Sequence, residues 1–236
     1  MKNKISFLIL AHNEVNTIEK EINNILKIKK KLKFELIVIQ DGSNDGTFEK
    51  LKKTRKRKNF ILHNKKNRLG YHRAFLKGVS LSGGNIIFFS DTGGKYNYRK
   101  FIDFYKYFIK NSADMVAGYR IKRKDKLLRR LLTTFYGFFI NILFQIKFKD
   151  YDCGFKVFNK QKLLKVLKEN KFDKNLITSQ IFIYFKMYDY KILQLPIEYN
   201  EKKTRVSRGI PNSRILKVIF SSIKNMFLIR LKQISF

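Results

Sequence analysis

Asn85-Ile86-Ile87-Phe88-Phe89-Ser90-Asp91-Thr92-Gly93-Gly94-Lys95 is the stretch on which the fold turns. Ile86 to Phe89 is a continuous apolar run, as expected of a strand covered on both faces. From Ser90 onward no apolar residue follows until after Lys95. In an open α/β sheet, ligands bind beyond the carboxyl ends of such strands. An acid, two glycines and a lysine at that edge suit a phosphorylated ligand, because glycine lets backbone approach closely and lysine supplies charge. The stretch alone fits a polar turn before a helix at Tyr98 equally well. The chain before it decides between the two.

Working outward, the first 120 residues alternate short apolar strands with helices that have one polar face, the pattern of a parallel sheet. Strands are predicted at Ile5–Leu10, Phe34–Ile39, Phe60–Leu62 and Met115–Tyr119. Asn13 is read as the cap of a helix that buries Ile18, Ile22, Ile25 and Leu26. The second strand ends in Gln40-Asp41-Gly42-Ser43-Asn44-Asp45-Gly46-Thr47, dense in turn formers, before a helix from Phe48. Asn67, Gly70 and Ala74 lead into a helix ending near Gly83-Gly84, and another helix covers Phe101 to Ile109. No internal repeat is visible.

Beyond residue 120 the character changes. Leu127 to Ile146 reads as an aromatic-rich helix with Arg129 and Arg130 near its start. Asp150-Tyr151-Asp152-Cys153-Gly154-Phe155-Lys156 is a second polar junction running into a strand. Helices at Lys160–Asn170 and Leu176–Met187, a strand at Ile192–Ile197 and a loop with Arg205, Arg208 and Gly209 follow. A last helix from Arg214 groups Leu216, Ile219, Phe220, Ile223, Met226 and Phe227 on one face, against Lys217, Ser221, Lys224 and Asn225. Such a basic amphipathic helix either lies on a membrane surface or closes the core. The organisation read from this pattern is an α/β half at 1–120, an acceptor-side half of the same domain at 121–213, and the C-terminal helix at 214–236.

Composition narrows the function classes. With 44% hydrophobic residues the 236-residue chain is a folded protein. Its formal charge of +34 favours polyanionic partners: nucleic acid, an anionic membrane or phosphorylated substrates. The basic runs at 27–33 and 50–58 lack the interleaved aromatics of a single-strand or RNA platform, which argues against nucleic acid. Cys153 is the single cysteine, so no intrachain disulfide and no cysteine metal cluster can form, and a reducing compartment fits. No secretory signal is read at the N-terminus, since His12, Asn13 and Glu14 interrupt its short apolar run. Leu131–Ile146 contains Thr133, Thr134, Asn141 and Gln145 and falls short of the roughly 20 apolar residues of a spanning helix.

Taken together, the junctions resemble those of the family 2 glycosyltransferases, whose fold is the Rossmann-like GT-A nucleotide-sugar fold. Ala11-His12-Asn13-Glu14 is similar to that family's opening Pro-x-(Tyr)-Asn-Glu, and Asp41 to Thr47 matches its Asp-Gly-Ser-x-Asp-Gly-Thr loop. Asn67, Gly70 and Ala74 resemble its Asn-x-Gly…Ala segment, and Asp91 stands where its Asp-x-Asp begins. Asp150 to Lys156 is similar to Asp-x-x-Ser-Gly-Phe-Arg, and Arg205 to Ser213 to Arg-x-x-Gly-x-Ser. The likeness is nearest to members acting on polyprenyl phosphates or envelope glycans.

The resemblance implies an α/β sheet flanked by helices and transfer, with inversion, from a nucleotide diphosphate sugar to a lipid-linked or cell-envelope glycan acceptor. It implies donor binding by Ala11, Asn13, Glu14, Asp41, Asn67, Gly70, Asp91 and Lys95. Asp41 at its strand end suits a uracil or guanine N–H. Arg205 and Arg208 are implied for acceptor or phosphate binding. Asp150 or Asp152 would take the proton of an acceptor hydroxyl, whereas a phosphate acceptor needs no base. A divalent cation, Mg or Mn, is implied at Asp91, but Gly93 replaces the second acid that would help hold it, and Lys95 stands where glutamine is common. Leu10, Gln40 and Gln180 also depart from the family pattern. The implied setting is the cytoplasm, peripheral at an anionic inner membrane face. Two alternatives remain open: a catalytically silent relative that binds nucleotide sugar, and a basic nucleic-acid-binding protein.

Overall fold

The computed structural model describes residues 3–28, 30–54, 59–122, 127–173, 177–200 and 212–234. In chain order the elements are β1 Ile5–Ala11, α1 Ile18–Ile28, β2 Phe34–Asp41, α2 Thr47–Thr54, β3 Phe60–Lys65, α3 Tyr71–Leu81 and β4 Ile86–Asp91. A 3₁₀ turn at Tyr98–Lys100 opens α4 Phe101–Lys110, followed by β5 Met115–Ile121, α5 Leu127–Phe144 and β6 Phe155–Asn159. The remainder is α6 Lys160–Glu169, α7 Ile177–Met187, β7 Ile192–Glu198 and α8 Asn212–Ile234.

The sheet has seven strands in the order β3-β2-β1-β4-β6-β5-β7. β1 to β4 are mutually parallel, and β6 runs antiparallel to both β4 and β5. β7 is parallel to β5. The mostly parallel α/β expectation therefore holds. β4 sits at the centre with both faces covered, which is why its apolar run is unbroken. On one face Phe88 meets Phe7 and Phe101, with ring centroids 4.4 and 4.3 Å away. On the other Phe89 packs edge-on to Phe75 at 5.1 Å.

Three sequence expectations are corrected. The strands continue past their apolar runs, so Asp41 and Asp91 are the last residues of β2 and β4 and not loop residues. Asn13 does not cap α1, which starts at Ile18; Asn13 lies in the left-handed region at φ 55°. In α8 Met226 is buried with Ile229 and Ser222, whereas Phe220 and Phe227 are exposed. One side of α8 therefore closes on the core, while Phe220 and Phe227 remain at the surface.

The topology fixes the site. Parallel β1, β2, β3 and β4 end on one edge, and antiparallel β6 begins there, with Phe155 opposite Ser90. The junction 150–154 therefore meets the turn after Asp91.

Candidate active site

The loops after β1 and β2 are bound to each other. Asn13 N–H donates to Ser43 Oγ at 2.9 Å, and Asn13 Oδ1 accepts from Asn44 N–H at 2.9 Å. Glu14 N–H donates to Thr47 Oγ1 at 2.7 Å and Val15 N–H to Asp45 Oδ2 at 3.1 Å. Gln40 Oε1 accepts from Ser43 N–H at 2.9 Å. Much of the Asp41–Thr47 motif is thus scaffold that shapes the edge. The buried Asp41 carboxylate accepts from Leu69 N–H at 2.5 Å and Gly70 N–H at 3.0 Å, so it also positions the segment before α3. Gly42 has φ 64°, and a Cβ there would stand 2.7 Å from Arg68 N. Asn67 is exposed beside this contact, and Ala11 is fully buried at the end of β1.

The turn after β4 is held from behind by Glu21 of α1. One oxygen of this buried carboxylate accepts from Gly93 N–H at 2.6 Å and from Gly94 N–H. The other accepts from Tyr98 O–H at 3.0 Å. Burial pushes the Glu21 carboxyl up to about 6 against these hydrogen bonds and the nearby Lys95 charge. At the front, Asp91 Oδ1 accepts from Tyr71 O–H at 3.3 Å, and Lys95 Nζ lies 4.0 Å from Asp91 Oδ2. Gly154 leaves room for the Asp91 carboxylate, since a Cβ there would come within 2.1 Å of Asp91 Oδ2 and displace it.

This geometry tests the divalent cation. Gly93 offers no side-chain ligand and turns its N–H toward Glu21. Lys95 puts a cation where a second carboxylate would help. Among the described residues no group of three or more His, Cys, Asp or Glu could hold a metal ion. Asp91 by itself does not make the many-oxygen site a divalent cation takes. The described residues do not fit a protein-built metal site.

Across the edge, the two acids of the second junction have different surroundings. Asp150 is clasped by Arg120, with Nε to Oδ2 at 2.7 Å, Nη2 to Oδ1 at 2.9 Å and the Arg120 N–H to Oδ2 at 3.1 Å. Burial raises the Asp150 carboxyl, but the Arg120 charge and hydrogen bonds outweigh it and hold the group below the usual carboxylate range. Asp152 is exposed, and its Oδ1 accepts from Thr178 O–H at 3.0 Å. Beneath both, fully buried Lys156 donates to the carbonyls of Cys153 at 2.6 Å and Tyr151 at 3.2 Å, and burial lowers its pKa. Burial also pushes the Cys153 thiol up to about 12, so it is no nucleophile. Gln180 is buried and accepts from Asp173 N–H at 2.8 Å, holding the chain before α7.

The edge therefore gathers Ala11, Asn13, Glu14, Asp41, Gly70, Asp91 and Lys95 on the β1–β4 side and Asp150 and Asp152 on the β6 side. Arg205 and Arg208 lie outside the described residues. The sequence reading missed Glu21, Tyr71, Tyr98 and Arg120. Only Glu21 left a trace, as the acid on the apolar stripe Ile18-Glu21-Ile22-Ile25. Arg120 reaches Asp150 through the sheet, 30 residues away, and no local pattern marks Arg120 or the pairing.

Comparison with known proteins agrees with this architecture. The profile of Glycosyl transferase family 2 matches residues 6–203. An uncharacterized protein of Methanocaldococcus jannaschii, MJ0544, is 30% identical over 241 residues, spanning 94% of this chain and 98% of that protein. The dolichyl-phosphate beta-glucosyltransferase ALG5D of Trichomonas vaginalis is 23% identical over 218 residues, spanning 84% of this chain and only 66% of that relative. The solved glucosyl-3-phosphoglycerate synthase of Mycobacterium tuberculosis, in complex with Mn2+, UDP and glucosyl-3-phosphoglycerate, superposes with TM-score 0.66 at 19% identity. That match covers 97% of this chain and 80% of the synthase. At this identity the likeness speaks to the fold.

Proposed function

The chain belongs to the family 2 glycosyl transferases, and from that premise we propose that it moves a sugar from a nucleotide diphosphate sugar to a lipid-linked acceptor, with inversion. The reaction would occur at a membrane surface on the cytoplasmic side. The observation that carries this reading is the meeting, on one sheet edge, of Asp41 and Asp91 at the ends of β2 and β4 with Asp152 in the junction before β6, which we read as donor and acceptor sides. The name of the Trichomonas relative, a dolichyl-phosphate glucosyltransferase, supports a polyprenyl phosphate as acceptor.

In this reading the base lies near Asp41, whose oxygens each accept one backbone N–H and keep a further lone pair. Ala11, Asn13, Glu14, Asn67 and Gly70 line that side, and Asp91 faces the ribose. Lys95 neutralises the diphosphate, where charge grows as the sugar leaves. An acceptor oxygen bonds to the sugar's anomeric carbon while the bond from that carbon to the diphosphate breaks, releasing nucleoside diphosphate. A phosphate oxygen is already anionic and needs no base. An acceptor hydroxyl would give its proton to Asp152, since Asp150 is committed to Arg120. Arg205 and Arg208 belong to the acceptor or phosphate side in this reading.

Thermal unfolding against a panel of nucleotide sugars tests the donor site. A true donor at about 100 times its dissociation constant adds roughly 2.7 kcal/mol of stability. No shift with any donor, alongside nucleic-acid binding that weakens steeply with salt, would overturn the proposal.

A further inference from the structure

The structure carries a surface that the catalytic edge does not use. Along α5, Leu127, Leu131, Phe135, Phe138 and Ile142 are 57–68% exposed. Their spacing of four, four, three and four residues keeps them on one side of the helix. They run along about 22 Å of its length at 1.5 Å per residue. The opposite side buries Tyr136, Ile140 and Phe144 in the core. α8 repeats the arrangement, burying Met226 and Ile229 while exposing Phe220, Phe227 and Leu228. Phe139 and Phe227, with ring centroids 5.9 Å apart, join the two helices, so the exposed sides form one apolar patch.

We infer that this patch is a lipid-docking face, seated among the headgroups and upper acyl chains of an anionic bilayer without crossing it. The inference rests on the proposed lipid-linked acceptor and identifies the part of the molecule that meets the lipid. Three observations select a bilayer over other occupants. No described helix is long and apolar enough to cross a membrane, so the apolar surface lies along the helices and not through their whole girth. Neither helix carries an acidic residue, and exposed Arg130 and Lys224 stand beside the apolar side chains. Aromatic and aliphatic groups next to cations are the signature of an interfacial helix, and a lysine such as Lys224 reaches its charge outward along an apolar stem. A second copy of this chain would bring two such basic faces together at a formal charge of +34 each, which opposes pairing and favours an anionic surface.

The patch is also placed for an acceptor that arrives in lipid. Tyr136, on the buried side of α5, shares a hydrogen bond of 3.1 Å with Ser179 of α7. The neighbouring residue, Thr178, holds Asp152. One helix diameter, about 10 Å, separates the apolar stripe from the contact beside that carboxylate.

The chain has no tryptophan, so one introduced tryptophan reports its own surroundings. Phe138→Trp in the full chain should shift its emission to the blue on adding vesicles of phosphatidylcholine with a minority of phosphatidylglycerol. Its emission should also be quenched by lipids brominated on the acyl chain. Leu164→Trp, at an exposed position of α6, should do neither. A Leu131→Ser/Phe135→Ser/Phe138→Ser variant should lose about tenfold or more in partition, as expected for three buried apolar side chains lost, and keep its nucleotide-sugar affinity by calorimetry. Four results would overturn the inference: unchanged Phe138→Trp emission, equal shifts at both positions, full partition of the triple variant, or a dimer in sedimentation without vesicles that the triple variant abolishes. Insertion that persists in a protein binding no nucleotide sugar would instead refute the proposed donor reaction and leave the docking face standing.

Discussion

Glu21 offers a prediction whose magnitude follows from its surroundings. Its carboxyl lies in the core, with Gly93, Gly94 and Tyr98 as donors, and burial raises its pKa from 4.5 to about 6. A raised carboxyl holds its proton more tightly in the native state than in the unfolded chain. Between pH 4.5 and about 6 the native state therefore binds more protons, and stability from this group falls as pH rises. The full difference corresponds to about 2 kcal/mol, complete above both values. Glu21→Gln keeps an acceptor oxygen for the two glycine amides and cannot titrate. Urea unfolding of both proteins at matched pH values removes the contributions of all other groups by subtraction. The wild-type stability minus that of Glu21→Gln should fall by about 2 kcal/mol from pH 4 to pH 7.5. A difference that stays constant, or rises with pH, would refute the claim that a desolvated carboxylate holds the turn after Asp91.

Further expectations concern the two sides of the edge. Asp150→Asn, which leaves Arg120 buried without its charge partner, should destabilise the protein by about 3–5 kcal/mol in urea unfolding, while Asp152→Asn stays within about 0.5 kcal/mol. In kinetics, Asp152→Asn should leave transfer to a polyprenyl phosphate nearly intact, because an anionic phosphate oxygen needs no base; a loss of about a hundredfold or more on that acceptor would contradict this. Gly154→Ala pushes a methyl group into the Asp91 carboxylate and should weaken nucleoside diphosphate binding about tenfold or more while circular dichroism stays native. Lys95→Ala should lose far more rate than Lys100→Ala, and transfer should persist in chelator. A charge about 4 Å from a phosphate oxygen is worth roughly 4 kcal/mol before desolvation, and abolition by chelator with a silent Lys95→Ala would contradict this.

The sheet was legible in the sequence because strands covered on both faces need continuous apolar runs, and Ile86–Phe89 and Leu36–Ile39 have them. Their ends were less legible, because backbone pairing carries polar Gln40, Asp41, Ser90 and Asp91 beyond the hydrophobic signal. The Asp41–Thr47 motif located the edge but not its labour, since Ser43, Asp45 and Thr47 spend their polar groups on the neighbouring loop. The residue type of Asn13 suggests a cap, while a left-handed turn there moves the helix start to Ile18. The separation of Asp150 from Asp152 depends on Arg120, brought in by the antiparallel pairing of β5 with β6. The apolar spacing of α8 implies one apolar side, whereas Met226 is in the core and Phe220 and Phe227 are at the surface, with Phe227 against Phe139 of α5.

Sugar transfer itself is the most direct test of the account. The full chain, incubated in anionic vesicles containing polyprenyl phosphate with nucleotide diphosphate sugars supplied singly, is followed by mass spectrometry of the lipid and release of nucleoside diphosphate. The account predicts that at least one donor yields a lipid product heavier by one sugar, with inverted anomeric configuration. Binding of a donor without product on any polyprenyl phosphate or lipid-linked acceptor would contradict it and leave a nucleotide-sugar-binding protein that does not turn over.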